Sequence, residues 1–174
     1  MQTITEALAE LATIDKRLPK KIAEMLPYVA RVEQIKDPFA KSGGSEKYLR
    51  EQRQSVGDLL TRKVNLRAAI ARANAETMIV VGKQEMSVGD WLVWKRECYA
   101  VYLDMLKKLL GQAQAARAEA VKRGVSLTTD AKATPDDIIV NLDEQELIAQ
   151  IDDLEETFGR LDGLLSLKNA TTLV

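Results

Sequence analysis

The chain has 174 residues, of which 46% are hydrophobic and 29% are charged, values typical of a folded globular protein. Its formal net charge of −1 disfavours nucleic acid or a strongly acidic surface as a partner. It contains no histidine and a single cysteine. This composition excludes an internal disulfide and removes the commonest general base and the commonest transition-metal ligand together.

No stretch of the sequence has the pattern of a membrane or secretory segment. The apolar runs are shorter than the roughly 18 residues that a spanning helix needs. The opening "MQTITEALAEL" lacks the basic and apolar regions of a signal peptide. We therefore expect no transmembrane segment and synthesis in the cytoplasm.

The N-terminal part, residues 1–36, is predicted to be a kinked helix. Thr3 and Glu6 have the spacing of a capping box, and apolar residues follow at three- and four-residue steps. Because proline cannot lie inside a straight helix, Pro19 predicts an end near Leu18, followed by a kink or a short second helix.

A second helix is predicted over residues 46–73, after a loop at residues 37–45 that is rich in Gly and Ser. Ser45 is its expected N-cap. The helix contains "SVGDLLTRK", which starts at Ser55, and the near-identical "SVGDWLVWK" starts at Ser87. One copy lies within a helix and the other starts one, so we interpret the repeat as a coincidence of composition.

Residues 76–86 are predicted to form a β-hairpin with Gly82 and Lys83 as its turn. Ser87 then has the position of an N-cap for a long helix over residues 88–123, with an acidic residue at the third helical position. The glycine after this helix is its expected end.

Apolar residues cover more of the long helix than a single face. A helix with two apolar stripes is either central in its own bundle or shared with another subunit. The only cysteine lies in the first stripe and is expected to be buried and inert, since no histidine can activate it. The first stripe comprises Trp91, Trp94, Cys98, Val101 and Met105, and the second comprises Val88, Leu92, Tyr99, Tyr102, Leu106, Leu109 and Ala113.

A linker with one short strand, "DIIVNL", is predicted over residues 124–142. Asp143 is the expected N-cap of a last helix over residues 143–168. Residues 169–174 are predicted to be a terminal strand that pairs with the start of the hairpin, since an asparagine precedes both runs. Along the last helix, apolar residues alternate steps of four and three, which predicts a coiled-coil seam at Leu147, Ile151, Leu154, Phe158, Leu161 and Leu165.

Together these elements predict a mainly α fold, an antiparallel bundle of long coiled-coil helices with a small β element, in one domain. Ten acids and one base lie between Asp136 and Asp162, whereas the second and third helices are rich in Lys and Arg. We expect the acidic last helix to pack beside the basic ones. The four acids Asp152, Asp153, Glu155 and Glu156 are predicted to be a solvated face and not a metal site.

The order of helix starts and ends resembles that of the septicolysin-like family of small bacterial and phage coiled-coil proteins. The stretches that carry the likeness are "ITEALAEL", "AAIARAN" before the hairpin, and "LKNATTLV" at the C-terminus. They correspond to an "L-x-EAL" start, an "LIxxIN" helix end before a "VV-x-G" hairpin, and a terminal "NxTT". The chain departs from the pattern at Lys83 and in the prolines of its first segment. The family has no established catalytic residues, so the resemblance implies no site.

The sequence predicts a non-enzymatic structural subunit of a homo-oligomeric assembly, a phage neck, tail or capsid-surface protein. It predicts no cofactor, no metal, and as partners copies of itself and other structural proteins of the virion. One alternative is a nucleic-acid-binding module that uses Arg50, Arg53, Arg62 and Lys63. Another is a membrane-active coiled-coil protein that frees an apolar face. The predicted interface residues are Trp91, Trp94, Val101, Met105, Thr171, Thr172, Leu173 and Val174.

Overall fold

The computed structural model describes residues 1–125, 127–128 and 137–174. The predicted fold class, mainly α with a small β-hairpin, is confirmed. The helices are α1 (Ile4–Met25), α2 (Gly44–Glu76), α3 (Val88–Val93), α4 (Tyr99–Arg123) and α5 (Glu144–Thr171), and the strands are β1 (Met78–Val81), β2 (Gln84–Ser87), β3 (Leu127–Thr128) and β4 (Ile138–Ile139).

The chain divides into two compact units, where the sequence predicts one domain. Unit 1 comprises Met1–Thr77 and Ser166–Val174, and unit 2 comprises Met78–Leu165. Unit 1 therefore holds α1, α2 and the end of α5. Unit 2 holds the strands, α3, α4 and most of α5.

In unit 1, α1 packs antiparallel to α2. The predicted capping box at its start is confirmed: the Glu6 N–H donates to the Thr3 hydroxyl at 3.2 Å, and the Thr3 N–H donates to the Glu6 carboxylate at 2.7 Å. These Thr3 groups hold the pKa of Glu6 below its ordinary value. The apolar face that follows forms the core of the unit, with Ile4, Ala7, Leu11 and Ile14 packed against Leu66 and Ile70.

The predicted end of the first helix near Leu18 is wrong, because α1 runs through Pro19 to Met25. A proline inside a helix removes one hydrogen bond of the helix. On either side of it, however, α1 stays attached to α2: Leu18 packs against the core, and Lys21 donates to the Gln52 side chain at 2.9 Å. Tertiary packing therefore outweighs the local cost of the proline.

The start of α2 also differs from the prediction, since its N-cap is Gly43, with φ of 99°, and not Ser45. The capping carboxylate comes from Asp37, across the loop. It accepts the Ser45 N–H, the Ser45 hydroxyl and the Phe39 N–H, each at 2.8 Å. These bonds, the one from the Ser45 backbone foremost, lower the pKa of Asp37.

The predicted hairpin is present in unit 2, with β1 and β2 antiparallel and Gly82 and Lys83 between them. Gly82 has φ of 58° and Lys83 does not have a positive φ, the sign pattern of a type II′ turn. Ser87 ends the hairpin and caps α3, as predicted, by accepting the Asp90 N–H at 3.1 Å.

The last helix begins as predicted, since Asp143 accepts the Gln145 N–H at 2.8 Å. Phe158 of its seam is half-buried and stacks on Tyr99, with ring centroids 4.0 Å apart. The other seam positions are confirmed as core residues: Leu147, Ile151, Leu154, Leu161 and Leu165 are buried.

The predicted ends of helices are correct where a glycine decides them. Gly124 has φ of 67°, and its N–H donates to carbonyls of the last turn of α4. By contrast, Asn74 and Asn169 lie within α2 and α5 and end neither helix.

The strand predicted at "DIIVNL" is present as β4, which pairs in parallel with β3. Most of the predicted loop before it lies outside the described residues.

Truncation of a side chain in the α5 seam should destabilise the protein more than truncation of one on the exposed face of α5. We expect Leu154→Ala and Leu161→Ala each to lower the free energy of unfolding by about 2–5 kcal/mol, since both side chains are buried. Asp152→Ala, on the exposed face, should change it by less than about 0.5 kcal/mol. Urea denaturation followed by circular dichroism measures all three. Equal, small losses would contradict the packing of α5.

Candidate assembly surface

The helix predicted over residues 88–123 is present, but it contains a π turn at Trp94–Cys98, which joins α3 to α4. The signature of this turn is the Tyr99 N–H, which donates to the Trp94 carbonyl five residues earlier. A π turn inserts an extra residue into the α-helical ladder. Since each residue of an α-helix turns the chain by about 100°, α4 is rotated by that angle relative to an unbroken helix. The predicted first stripe is therefore divided.

The N-terminal half of that stripe faces inward. Trp91 is fully buried with Ile79 and Leu161, and its indole N–H donates to the Ile79 carbonyl at 3.0 Å. Trp94 is half-buried and meets Trp91 edge to face, with ring centroids 5.4 Å apart. The interface prediction is therefore wrong for Trp91, which is a core residue of its own chain, while Trp94 keeps only part of its ring at the surface.

The C-terminal half of the stripe faces outward and forms what we call the α4 patch: Cys98, Val101, Tyr102 and Met105. Val101 is 70% exposed, Tyr102 46% and Met105 43%. Cys98 is also exposed, so the prediction of a buried thiol is wrong. Tyr102 was expected on the second stripe. Helical spacing alone could not assign it to this patch, because the sequence does not mark where the extra residue of the π turn falls.

The C-terminal candidates are engaged within their own chain. Leu173 forms an antiparallel bridge with Thr3, and the Val174 N–H donates to the Gln2 carbonyl at 2.8 Å. Thr171 still belongs to α5. The predicted pairing of this terminus with the hairpin is therefore wrong, because the terminus pairs with Gln2 and Thr3 instead.

The four basic residues of the nucleic-acid alternative are not equivalent. Arg62 binds both carboxylate oxygens of Glu10, at 2.7 and 2.8 Å, and Lys63 contacts Asp15 at 2.5 Å. The positive charges of Arg62 and Lys63 are therefore paired with carboxylates of α1. Arg50 and Arg53, within the described residues, have neither an ion pair nor a hydrogen bond and make up the free half of the predicted set.

The acidic last helix does pack beside the basic third helix, as predicted. Lys107 contacts Glu155 at 2.9 Å, which raises the pKa of Lys107, and Lys95 contacts Asp162. The second helix, by contrast, pairs Arg62 and Lys63 with acids of α1. The four acids predicted to be solvated, Asp152, Asp153, Glu155 and Glu156, are all exposed, and Glu155 also pairs with Lys107 of α4.

Neither a cluster of metal-binding side chains nor a membrane-spanning helix occurs in the described part of the chain. No group of three or more Cys, Asp or Glu side chains there has the arrangement of a metal site. None of the helices in the same ranges combines the length and the apolarity needed to cross a bilayer.

Comparison of the chain with family models, with curated proteins and with solved structures found no match. Membership of the septicolysin-like family therefore stays a prediction that rests on the helix starts and ends alone.

The Glu10–Arg62 pair should make unit 1 sensitive to acid. The hydrogen bonds from Arg62 and Gln2 lower the pKa of Glu10 from 4.5 to about 2. Between these two values the unfolded chain binds the proton and the folded chain does not, so stability falls as the pH falls through this window. Glu10→Gln should remove that component, as seen in urea midpoints measured between pH 5 and pH 3 (roughly the accessible part of the window).

The matched control is Glu24→Gln, which removes a carboxylate of α1 whose only ion pair among the described residues, with Lys20, is exposed and 3.9 Å long. This variant should keep the Glu10 component of the acid dependence. An unchanged pH profile in Glu10→Gln would show that the pair does not hold the carboxylate charged.

Proposed function

We propose that the chain is a non-enzymatic structural subunit that associates with copies of itself through the α4 patch. The observation that carries this proposal is the exposure of Val101, Tyr102 and Met105 on one face of a helix. Side chains three and four residues apart are neighbours on a helix, so these residues form one surface. Contiguous apolar surface of this kind is typical of protein contacts.

The α4 patch suits a symmetric contact between two copies. A surface on one helix can pack against the same surface of a second copy, since a two-fold axis brings identical residues together. Met105 adapts its shape to an irregular partner surface, and Tyr102 adds a large ring with a polar end. Neither is needed by the core, which uses Leu106 and the seam of α5.

A second exposed apolar pair would allow the assembly to grow beyond a dimer. Leu60 and Val64 lie one turn apart on α2 and are 48% and 66% exposed. Two self-associating surfaces on one chain, one in each unit, permit extended or closed assemblies, depending on symmetry. A structural protein of a particle needs this property, and a simple dimer does not.

The setting in a phage particle, as a neck, tail or capsid-surface protein, is supported by the resemblance to small bacterial and phage coiled-coil proteins. In that setting the partners would be copies of this chain and other structural proteins of the virion. The absence of histidine and of a recognised catalytic motif in the sequence supports a role without chemistry.

Charge placed on the α4 patch should break the association. We expect the unmodified protein to have a mass in light scattering that is a multiple of its chain mass of 19.3 kDa. Val101→Asp and Met105→Asp should lower that mass, because a buried unpaired carboxylate is costly. A monodisperse monomer at high micromolar concentration would contradict the proposal.

The matched control is Val121→Asp, because Val121 is 77% exposed on the same helix and lies outside the patch. It should leave the mass unchanged. Labelling of Cys98 with a maleimide gives an independent readout, since assembly should cover this exposed thiol and slow the reaction as protein concentration rises. Equal labelling rates at all concentrations would place the contact elsewhere.

Two alternatives remain as separate proposals with separate tests. A nucleic-acid module would now depend on Arg50 and Arg53, because Arg62 and Lys63 are paired with α1. A gel-shift titration would then show binding that falls steeply with salt. A membrane-active protein would cause leakage of lipid vesicles. Neither behaviour is expected of an assembly subunit.

A further inference from the structure

An apolar groove lies in unit 1, between the end of α1 and the start of α2. It has a volume of about 490 Å³, within the range of small-molecule sites. Five apolar side chains form most of its wall, and Leu26 and Val29 among them are 65% and 67% exposed. The lining comprises Ile22, Met25, Leu26, Val29 and Leu49 with the charged Glu46, Arg50 and Arg53.

A polar cleft of about 330 Å³ adjoins the groove and shares two of its residues. Arg50 and Arg53 line both spaces, and the cleft is completed by Gln54 and Gly57. A Cβ at Gly57 would meet nothing within 4 Å, so this side of the cleft is open. The two arginines thus stand at the boundary between an apolar and a polar space.

The segment that follows α1 is held by three aromatic rings that do not themselves line the groove. Phe39 stacks on Tyr48 with ring centroids 4.1 Å apart, and Tyr28 meets both rings edge to face. The Asp37 carboxylate ties the same loop to Ser45 at the start of α2. Since Tyr28 directly precedes Val29, these contacts fix the segment that lines the groove before any ligand arrives.

We propose that this groove binds a single-chain amphiphile with a carboxylate head, free in solution. Its alkyl chain would lie along Met25, Leu26 and Val29, where apolar burial favours it. Its carboxylate would meet Arg50 and Arg53, whose planar guanidinium groups bind carboxylates bidentately. Both arginines are without a partner in the described residues, so binding need break no ion pair there.

The charge of the lining selects the sign of the head group. Among the described residues, Glu46 is the only acid that lines the groove or the cleft, and it lies one turn before Arg50 on α2. Two arginines against one glutamate leave the site net positive, so an anionic head is favoured over a cationic one. Removal of the Glu46 charge should strengthen binding of an anion, a consequence that a purely apolar groove would not have.

The site shares no residue with the two surfaces of the proposed assembly, the α4 patch in unit 2 and the Leu60–Val64 pair on α2. The failure of one proposal would therefore leave the other intact. The experiment is isothermal titration of the full chain with dodecanoate below its micelle concentration, beside dodecyltrimethylammonium, which has an equal alkyl chain and the opposite charge.

We expect one dodecanoate per chain and weaker binding of the cationic amphiphile. Arg50→Gln and Arg53→Gln should each weaken dodecanoate binding by about tenfold, the effect of losing a charge-assisted hydrogen bond. Leu26→Asp should abolish binding without unfolding the protein, since Leu26 is exposed, and Glu46→Gln should strengthen it. The matched control is Arg67→Gln, an exposed arginine of the same helix outside both spaces, which should bind normally.

Three kinds of result would overturn the proposal. The first is no binding of dodecanoate, or equal binding of both amphiphiles. The second is equal affinity in all of the variants. The third is evidence of a different occupant. A fall in the mass of the ligand-free protein in Arg50→Gln or Leu26→Asp would assign the groove to a second copy. Binding to anionic vesicles without binding to dodecanoate would assign it to a lipid surface.

Discussion

The extra residue of the π turn at Trp94–Cys98 rotates everything that follows it on the same helix by about 100°. Before the turn, Trp91 is directed into the core, where its indole N–H is satisfied by the Ile79 carbonyl of the hairpin. After it, Tyr99 stacks on Phe158, and Leu106 meets the seam of α5. The same rotation leaves Val101 at the surface. The core of unit 2 and its candidate assembly surface therefore depend on one insertion in a hydrogen-bond ladder.

The structural features that could be predicted are those that depend on residues close together in the sequence. The Thr3 cap, the Ser87 cap and the Gly82 turn each need only residues within three positions, and all are present. The seam of α5 follows a period that the sequence repeats without a break. The failures have distant causes: Pro19 stays helical because α1 packs on α2, and the cap of α2 comes from Asp37 across a loop. A local sequence pattern shows neither the packing of α1 on α2 nor the reach of Asp37 across the loop.

The candidate surfaces were harder to predict than the fold, for the same reason. Whether Arg62 is free depends on Glu10, which is 52 residues away and reaches it only when α1 and α2 pack. Periodicity predicted an apolar stripe, but the rotation at the π turn divided it between core and surface. The groove beside Arg50 has no sequence signal, because its walls come from α1, a loop and α2.

The pairing of Gln2 and Thr3 with the last residues of the chain has a consequence for the order of folding. Unit 1 is built from the first 77 residues and the final nine. A ribosome that adds about 5–20 residues per second reaches Ser166–Val174 roughly 7–30 s after it has synthesised α1. During that interval α1 and α2 can pack, but the strand contact that closes the start of α1 is still missing. Completion of unit 1 thus waits for the synthesis of Ser166–Val174, whereas unit 2 is a continuous stretch of chain.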